Sequence, residues 1–302
     1  MYQNRIQYFA DILILLGLIV ICASVMTGIG ILVSAGTFHL GIMETLSRMQ
    51  DTSNPENIGI LKMINVFSTF GAWLLSAYIL ILIRGKKVFQ YWQLNSSNCS
   101  KIWVYMPLIF ISVIILSAFF LNLNHAIHFP DFLKSWIENT KKTESLMGHF
   151  LAMHTTKDLI LNLLIVAVAP AVFEEIFFRG TLQKLIIGFT GNMHLGVVIT
   201  SFIFAAIHMN AIQIIPMFFI ALVLGYLYQF TQSIWPNILL HFLNNAMAVI
   251  GLYYQNKHPI AKQITDDSIQ MPYYVTIFAF ATLAFIFFQV YNNYKKKILI
   301  NE

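Results

Sequence analysis

Charged side chains are scarce in this chain, and their scarcity excludes an ordinary water-soluble domain. Only 10% of the 302 residues are Asp, Glu, Lys or Arg, while 58% are hydrophobic, and the mean hydropathy is +0.71. Soluble domains carry about 25% charged residues. The composition therefore predicts an integral membrane protein, whose architecture is set by spans that pack in the lipid bilayer.

Cysteine is almost absent as well. Cys22 and Cys99 are far apart in the chain, so neither a disulfide framework nor a cysteine-based metal site is predicted.

No small-residue cleavage site follows the first apolar run, which we interpret as a span rather than a removable signal. The net charge of +5 comes largely from basic residues in short loops and at the C-terminus. It therefore indicates membrane orientation and predicts no nucleic-acid partner.

Long apolar runs fill most of the chain. Eight of them can cross a bilayer, and none shows the alternation that is typical of a membrane β-strand. The predicted fold class is therefore all-α, a polytopic membrane bundle of about eight transmembrane helices. Six or seven spans are the alternative, because the fifth run is short. The approximate limits are 12–36, 60–83, 102–122, 158–179, 194–209, 212–231, 234–254 and 271–292.

Loop charges predict the orientation of this bundle. The segment 84–101 contains Arg84, Lys86, Lys87 and Lys101 but no acidic residue, and the C-terminal tail carries three consecutive lysines. The positive-inside rule places both on the cytoplasmic side. An even number of spans then makes both termini cytoplasmic, in what we expect to be a bacterial inner (cell) membrane. The loops that mix acidic and basic residues are assigned to the far side and lie near 37–59, 123–157 and 255–270.

Polar residues within the predicted spans concentrate in one part of the chain. We divide the sequence into an N-terminal three-span region with a soluble loop (1–155), a helical core (156–256), and a last span with a basic tail (257–302). From Leu185 to Asn256 there is no Asp, Glu, Lys or Arg. The functional site is therefore expected in the core.

Two adjacent glutamates, Glu174 and Glu175, lie in the middle of the fourth predicted span, and Arg179 follows four residues later. A charged side chain at that depth costs roughly 2.5–3.5 kcal/mol on insertion scales, so two together indicate function rather than packing. Glu175 and Arg179 lie on one side of the helix and can form an ion pair. Glu174 is turned by about 100° from Glu175, and we interpret it as the reactive carboxylate. A different rotation of the helix would exchange the roles of the two glutamates.

Two further polar pairs follow on later spans. Phe204 and His208 share one helix face, and His241 and Asn245 share another. Together with Glu174 they supply a carboxylate, two imidazoles and an amide, a set that can activate water and stabilise an oxyanion. The histidines could instead be hydrogen-bonding contacts between helices. Their spacing is not a local zinc motif such as H-E-x-x-H.

The patterns E-E-x-x-x-R, F-x-x-x-H and H-x-x-x-N, in this order on three spans, resemble the CPBP family. This family comprises CAAX prenyl endopeptidases and bacteriocin-processing or immunity (Abi-type) membrane proteins. The resemblance covers about residues 156–250 and extends to the flanking Gly180 and Trp235-Pro236. It implies a membrane (metallo)endopeptidase, a hydrolase with a water-filled cavity. In such a protein Glu174 and His208 would activate water, His241 and Asn245 would form the oxyanion site, and Glu175, Arg179 and Phe204 would support them.

The resemblance also implies a cofactor and partners. Members are labelled metallopeptidases, so Glu174, His208 and His241 are candidate ligands of a divalent metal, zinc first, if one is bound. A glutamate-dependent mechanism without a tightly held metal is the alternative. The implied partners are a peptide or membrane-associated protein substrate and the lipid bilayer. Two other functions remain open: a non-enzymatic immunity-type protein that binds a partner in the same pocket, and, less favoured, an ion-coupled transporter.

Overall fold

The computed structural model describes residues 2–49, 54–94, 100–127, 130, 135–140, 148, 150–257 and 272–301. Cys99 and much of the predicted loops near 123–157 and 255–270 lie outside these residues. Two short helices, Ile42–Arg48 and Val88–Tyr91, lie in connecting segments. The eight long helices are α1 (Tyr2–Thr37), α2 (Asn57–Ile83), α3 (Ser100–Ala126), α4 (Thr156–Thr190), α5 (Met193–Ile207), α6 (Ile214–Thr231), α7 (Trp235–Lys257) and α8 (Tyr273–Asn301).

Each predicted span corresponds to one of these helices. Six of them, α1 to α4, α6 and α8, are long and apolar enough to cross a membrane. The 15-residue α5 is shorter, and the 23-residue α7 carries several polar side chains. The described part of the chain contains no strand. The all-α prediction is therefore confirmed, the chain is an integral membrane protein, and the count of about eight spans agrees with these eight helices.

α4 extends further than the sequence predicts. The predicted span stops at residue 179, whereas the helix continues through a wide π-helical turn at Phe178–Leu182 and reaches Thr190. Gly180 makes room for the ring of Trp92, which would lie only 3.0 Å from a Cβ atom at this position. The helix ends where Gly191 adopts a left-handed conformation (φ +69°), which glycine tolerates without steric cost.

α5 ends earlier than predicted, at Ile207 rather than 209, and His208 is its C-terminal cap residue. The chain leaves the helix at Met209, whose φ of +50° is left-handed. The Nδ1 atom of His208 lies 2.7 Å from the backbone oxygen of Phe204. The imidazole thus satisfies one of the carbonyl groups that every helix C-terminus leaves without a donor, and this contact fixes the ring.

α4 lies between two groups of helices. Its buried residues Phe177, Phe178 and Leu185 pack with Leu15 of α1 and Leu80 of α2. A second apolar cluster joins α3, α6, α7 and α8 through Ile109, Leu224, Leu240 and Leu283. Helices α5, α6 and α7 also contact α4. The two glutamates of α4 therefore face the helices that carry the other polar pairs.

Candidate active site

Glu175 is a fully buried carboxylate that three side chains hold in place. Arg179 Nη1 donates to Glu175 Oε1 at 2.8 Å, and His241 Nδ1 lies 2.8 Å from the same oxygen. Asn237 Nδ2 donates to Oε2 at 3.2 Å. The exposed fractions of Glu175 and Arg179 are 0% and 1%. Both oxygens of Glu175 are thus occupied by protein donors, which compensate the cost of burying the charge.

Arg179 extends this contact network to two more helices. Its Nη2 donates to the backbone oxygen of Ala221 in α6 at 3.3 Å. Its guanidinium group lies 4.7 Å from the ring centroid of Phe204 in α5, a distance typical of a cation–π contact. The ion pair predicted from the i,i+4 spacing is therefore present, and it also connects α4 to α5, α6 and α7.

Glu174 points away from this network. Its side chain is 15% exposed, and the described ion pairs and hydrogen bonds give it one close polar neighbour: His241 Nε2 lies 3.9 Å from Glu174 Oε2. That distance is too long for a direct hydrogen bond but can be bridged by one water molecule. The adjacent glutamates thus differ in surroundings, as their separation of about 100° around the helix predicts.

His241 lies between the two glutamates and contacts one with each ring nitrogen. Since a carboxylate only accepts hydrogen bonds, the contact with Glu175 requires the hydrogen on Nδ1. Nε2 then faces Glu174. In the neutral ring this nitrogen accepts a hydrogen bond, and in the imidazolium it donates one. Glu175 therefore fixes the orientation of His241 and its tautomer, a role for Glu175 that the sequence does not reveal.

His208, like His241, uses its Nδ1 atom for a contact with the protein. A backbone oxygen only accepts, so the contact of Nδ1 with Phe204 requires the hydrogen on Nδ1, and Nε2 of the neutral ring is an acceptor. The Phe204 ring packs against both imidazoles, with centroid distances of 4.7 Å to His208 and 6.1 Å to His241. The Phe204 ring therefore contacts both imidazoles and the guanidinium group of Arg179.

Asn245 is positioned by a break in the hydrogen bonding of α4. Pro170 has no N–H to donate to the carbonyl of Val166, four residues earlier, and Asn245 Nδ2 donates to that oxygen at 3.2 Å. The amide of Asn244 donates to Asn245 Oδ1 at 3.4 Å. An amide nitrogen carries two hydrogens, so one N–H of Asn245 remains for a ligand.

These side chains surround one cavity of about 320 Å³. Glu174, His208, His241 and Asn245 all line it, although they come from α4, the end of α5, and α7. Glu175 and Arg179 are not among the lining residues and lie behind them. Carboxylate, imidazole and amide groups therefore converge on a single space. Apart from Asn244, the other lining residues are apolar: Leu151, Val166, Pro170, Phe204, Met217, Ile220, Leu224, Ala248 and Val249.

Sequence reasoning missed two asparagines. Asn237 is fully buried and donates to Glu175 and, at 2.6 Å, to the backbone oxygen of Leu224. Asn244 lines the cavity beside Asn245. For Asn237 a signal was available, because Asn237, His241 and Asn245 follow each other at intervals of four residues and so share one face of α7.

The predicted metal ligands Glu174, His208 and His241 do not form a three-ligand site as they are arranged. Across the residues whose placement is described, no group of three His, Cys, Asp or Glu side chains could hold a metal ion. Each imidazole uses Nδ1 in a contact with the protein and keeps Nε2, the orientation that is usual for a metal-binding histidine. A divalent metal at these residues therefore stays a prediction, and the proposed reaction uses none.

The part of the chain that carries the polar residues of this cavity matches a known protein family. Residues 156–247 match the family model described as Rce1-like, type II CAAX prenyl endopeptidase. This segment is Rce1-like. The resemblance predicted for about residues 156–250 is thereby confirmed, and the Rce1-like segment contains every predicted site residue. No curated protein and no solved structure matches the chain.

Proposed function

We propose that the protein is an intramembrane endopeptidase that hydrolyses a peptide bond in the cavity lined by Glu174. The observation that carries this proposal is the contrast between the two glutamates. Glu175 is saturated by protein donors, whereas Glu174 faces a cavity that it shares with two imidazoles and an amide. A carboxylate that is buried at some energetic cost, yet left open to a cavity, is suited to act on a bound water molecule.

In the first proposed step Glu174 accepts a proton from this water as its oxygen attacks the carbonyl carbon of the scissile bond. His208 Nε2 can hold the water by accepting its second hydrogen. The attack converts the carbonyl oxygen into an oxyanion, which the remaining N–H of Asn245 stabilises. His241 adds a second donor when it is in the imidazolium form. Glu174 then gives its proton to the leaving nitrogen, so that the C–N bond breaks and the carboxylate is regenerated.

The proposed substrate is a peptide or a membrane-associated protein that is cut near the membrane. The description of the matching family as CAAX prenyl endopeptidase makes a substrate with a prenylated C-terminal segment the first to test. The cavity volume of about 320 Å³ is at the lower end of the range for ligand pockets, roughly 300–1,000 Å³. This size favours a short segment of extended chain over a folded domain.

The direct test is a peptide-cleavage assay on the purified full chain, with and without Glu174→Ala. We expect the wild type to cleave at least one prenylated or unprenylated membrane peptide and the variant to lose that cleavage. Metal analysis of the same samples decides whether a divalent metal, zinc first, accompanies activity at Glu174, His208 and His241. Equal turnover by both proteins would refute the proposed role of the cavity, and a wild type that binds peptides without cutting them would indicate a binding protein.

We further propose that both termini and the segment 84–101 are cytoplasmic, in a bacterial inner membrane. In this orientation the lining residues Val166 and Pro170, which precede Glu174 in α4, lie toward the external side. A cysteine introduced at position 90 or 298, with Cys22 and Cys99 replaced by serine, should react with an impermeant maleimide only after the cells are permeabilised. Labelling of either position in intact cells would show that the proposed orientation is wrong.

A further inference from the structure

A second cavity, which we call the basic pocket, lies beside the C-terminal part of α4. It has a volume of about 470 Å³ and is formed by the start of α1, the end of α2, the segment that follows α2, and α4. Lys184, on its α4 wall, is ten residues beyond Glu174, about 15 Å along the helix axis. The pocket is lined by Gln7, Tyr8, Asp11, Leu80, Ile81, Arg84, Lys86, Tyr91, Lys184 and Leu185.

Positive charge predominates in the basic pocket. Arg84, Lys86 and Lys184 face a single carboxylate, Asp11, which forms an ion pair with Arg84. The lining thus has an excess of two positive charges when all four groups are ionised. An unbalanced positive charge next to apolar helices is costly, and a bound anion would remove that cost.

Two of the cations retain hydrogen-bond donors for a ligand. The ammonium group of Lys184 donates to the backbone oxygen of Tyr91 and lies 4.8 and 5.3 Å from the ring centroids of Tyr91 and Tyr228. An ammonium has three N–H groups, so two are not used by that carbonyl. Among the residues that the structure describes, Arg84 Nε is buried and has no hydrogen-bond partner.

Tyr91 supplies a neutral donor. Its burial, together with the nearby Tyr8 and the charge of Asp11, raises the pKa of Tyr91 to about 12. The phenol therefore stays protonated at neutral pH and can donate its O–H to an anion. A pocket that combines ammonium, guanidinium and hydroxyl donors has the chemistry that binds phosphate oxygens.

The position of the basic pocket indicates where such a phosphate would come from. α2 ends at Ile83, and Arg84 is its C-cap residue, so the pocket begins where an apolar span stops. Large apolar side chains near this level are exposed on the outer surface, among them Phe9, Leu82, Ile83 and Phe89. This surface suits acyl chains, and the adjacent cations suit a headgroup, which is how basic pockets between transmembrane helices bind anionic lipids.

We propose that the basic pocket binds a negatively charged phosphate group, with the headgroup of an anionic membrane lipid as its source. Lys86, Lys184 and Arg84 contact the phosphate oxygens, and the acyl chains lie along the apolar surface beside Ile83. A lipid bound there bridges α1, α2 and α4. It therefore stabilises the helix that carries the two glutamates without entering the cavity that Glu174 lines.

The test uses the purified full chain in detergent and neighbouring lysines as matched variants. Lys86 lines the pocket, whereas the adjacent exposed Lys87 does not. Melting temperature is followed during titration with phosphatidylglycerol, with zwitterionic phosphatidylcholine, and with glycerol 3-phosphate or inorganic phosphate as soluble probes. We expect phosphatidylglycerol to raise Tm more than phosphatidylcholine. Lys86→Gln should weaken the apparent affinity for phosphatidylglycerol by about 5-fold, the effect of one basic residue near an anionic lipid surface. Lys87→Gln should leave this affinity unchanged.

The remaining outcomes also decide the proposal. Stabilisation by the soluble phosphates that is sensitive to Lys86→Gln upholds the phosphate site and makes a soluble compound its source. The proposal is overturned if Lys86→Gln and Lys87→Gln weaken the binding of phosphatidylglycerol equally. It is also overturned if phosphatidylglycerol raises Tm no more than phosphatidylcholine and the soluble phosphates have no effect. Lys184→Gln is the second pocket variant and should weaken binding at least as much as Lys86→Gln, provided that it folds.

Discussion

Replacing Glu174 with glutamine is expected to lower peptidase activity by about 100-fold or more, while the protein accumulates and melts like the wild type. Glutamine has the shape of glutamate but cannot take a proton from water at neutral pH. The protein contacts of the glutamate network are centred on Glu175 and do not depend on a charge at position 174. The loss should therefore appear in turnover and not in stability.

This prediction is checked by measuring three quantities on the same preparations: expression level, melting temperature in detergent, and the rate of peptide cleavage. Glu44→Gln is the matched control, because Glu44 is an exposed glutamate that pairs with Arg48 on a short helix outside the long spans. It should leave all three unchanged. If Glu174→Gln retains full activity or is the variant that fails to fold, the assignment of roles is wrong and Glu175 becomes the candidate base.

Much of the fold could be predicted from the sequence because a bilayer imposes simple rules. Apolar runs of sufficient length must become helices, and each of the eight runs did. The ends of the helices were harder to place. The predicted fourth span stops at residue 179, whereas the wide turn at Phe178–Leu182 carries α4 on to Thr190, and Gly180 within it provides room for Trp92.

The candidate site could be predicted in its composition but not in its contacts. Polar side chains within otherwise apolar spans identified Glu174, His208, His241 and Asn245 as a set, since each is costly there without a role. Helix rotation and the contacts between helices are not encoded in the spacing along one helix. The contact of His241 with Glu175 and the donation from Asn245 to Val166 therefore became visible only in three dimensions.

Replacing Glu175 with glutamine should destabilise the protein severely, in contrast to the same change at position 174. The substitution leaves the guanidinium of Arg179, 1% exposed, without its counter-charge. Breaking a buried ion pair in this way costs roughly 3–5 kcal/mol, a large part of the stability of an ordinary domain. Asn237 and His241 also lose a charged acceptor. We expect low accumulation and a much lower melting temperature in detergent, and activity should fall because the protein is unfolded.

A double variant separates loss of the pair from loss of the carboxylate. In Glu175→Gln/Arg179→Met no uncompensated cation remains, and an apolar side chain of similar length can still pack against Phe204. Replacing both members of a buried pair is far milder than removing one. Much of the melting temperature should therefore return, but activity should not, because His241 would lack the carboxylate that fixes its Nδ1 hydrogen. Full activity in the double variant would show that Glu175 matters only as the partner of Arg179, and a stable single variant would show that the pair is not needed for folding.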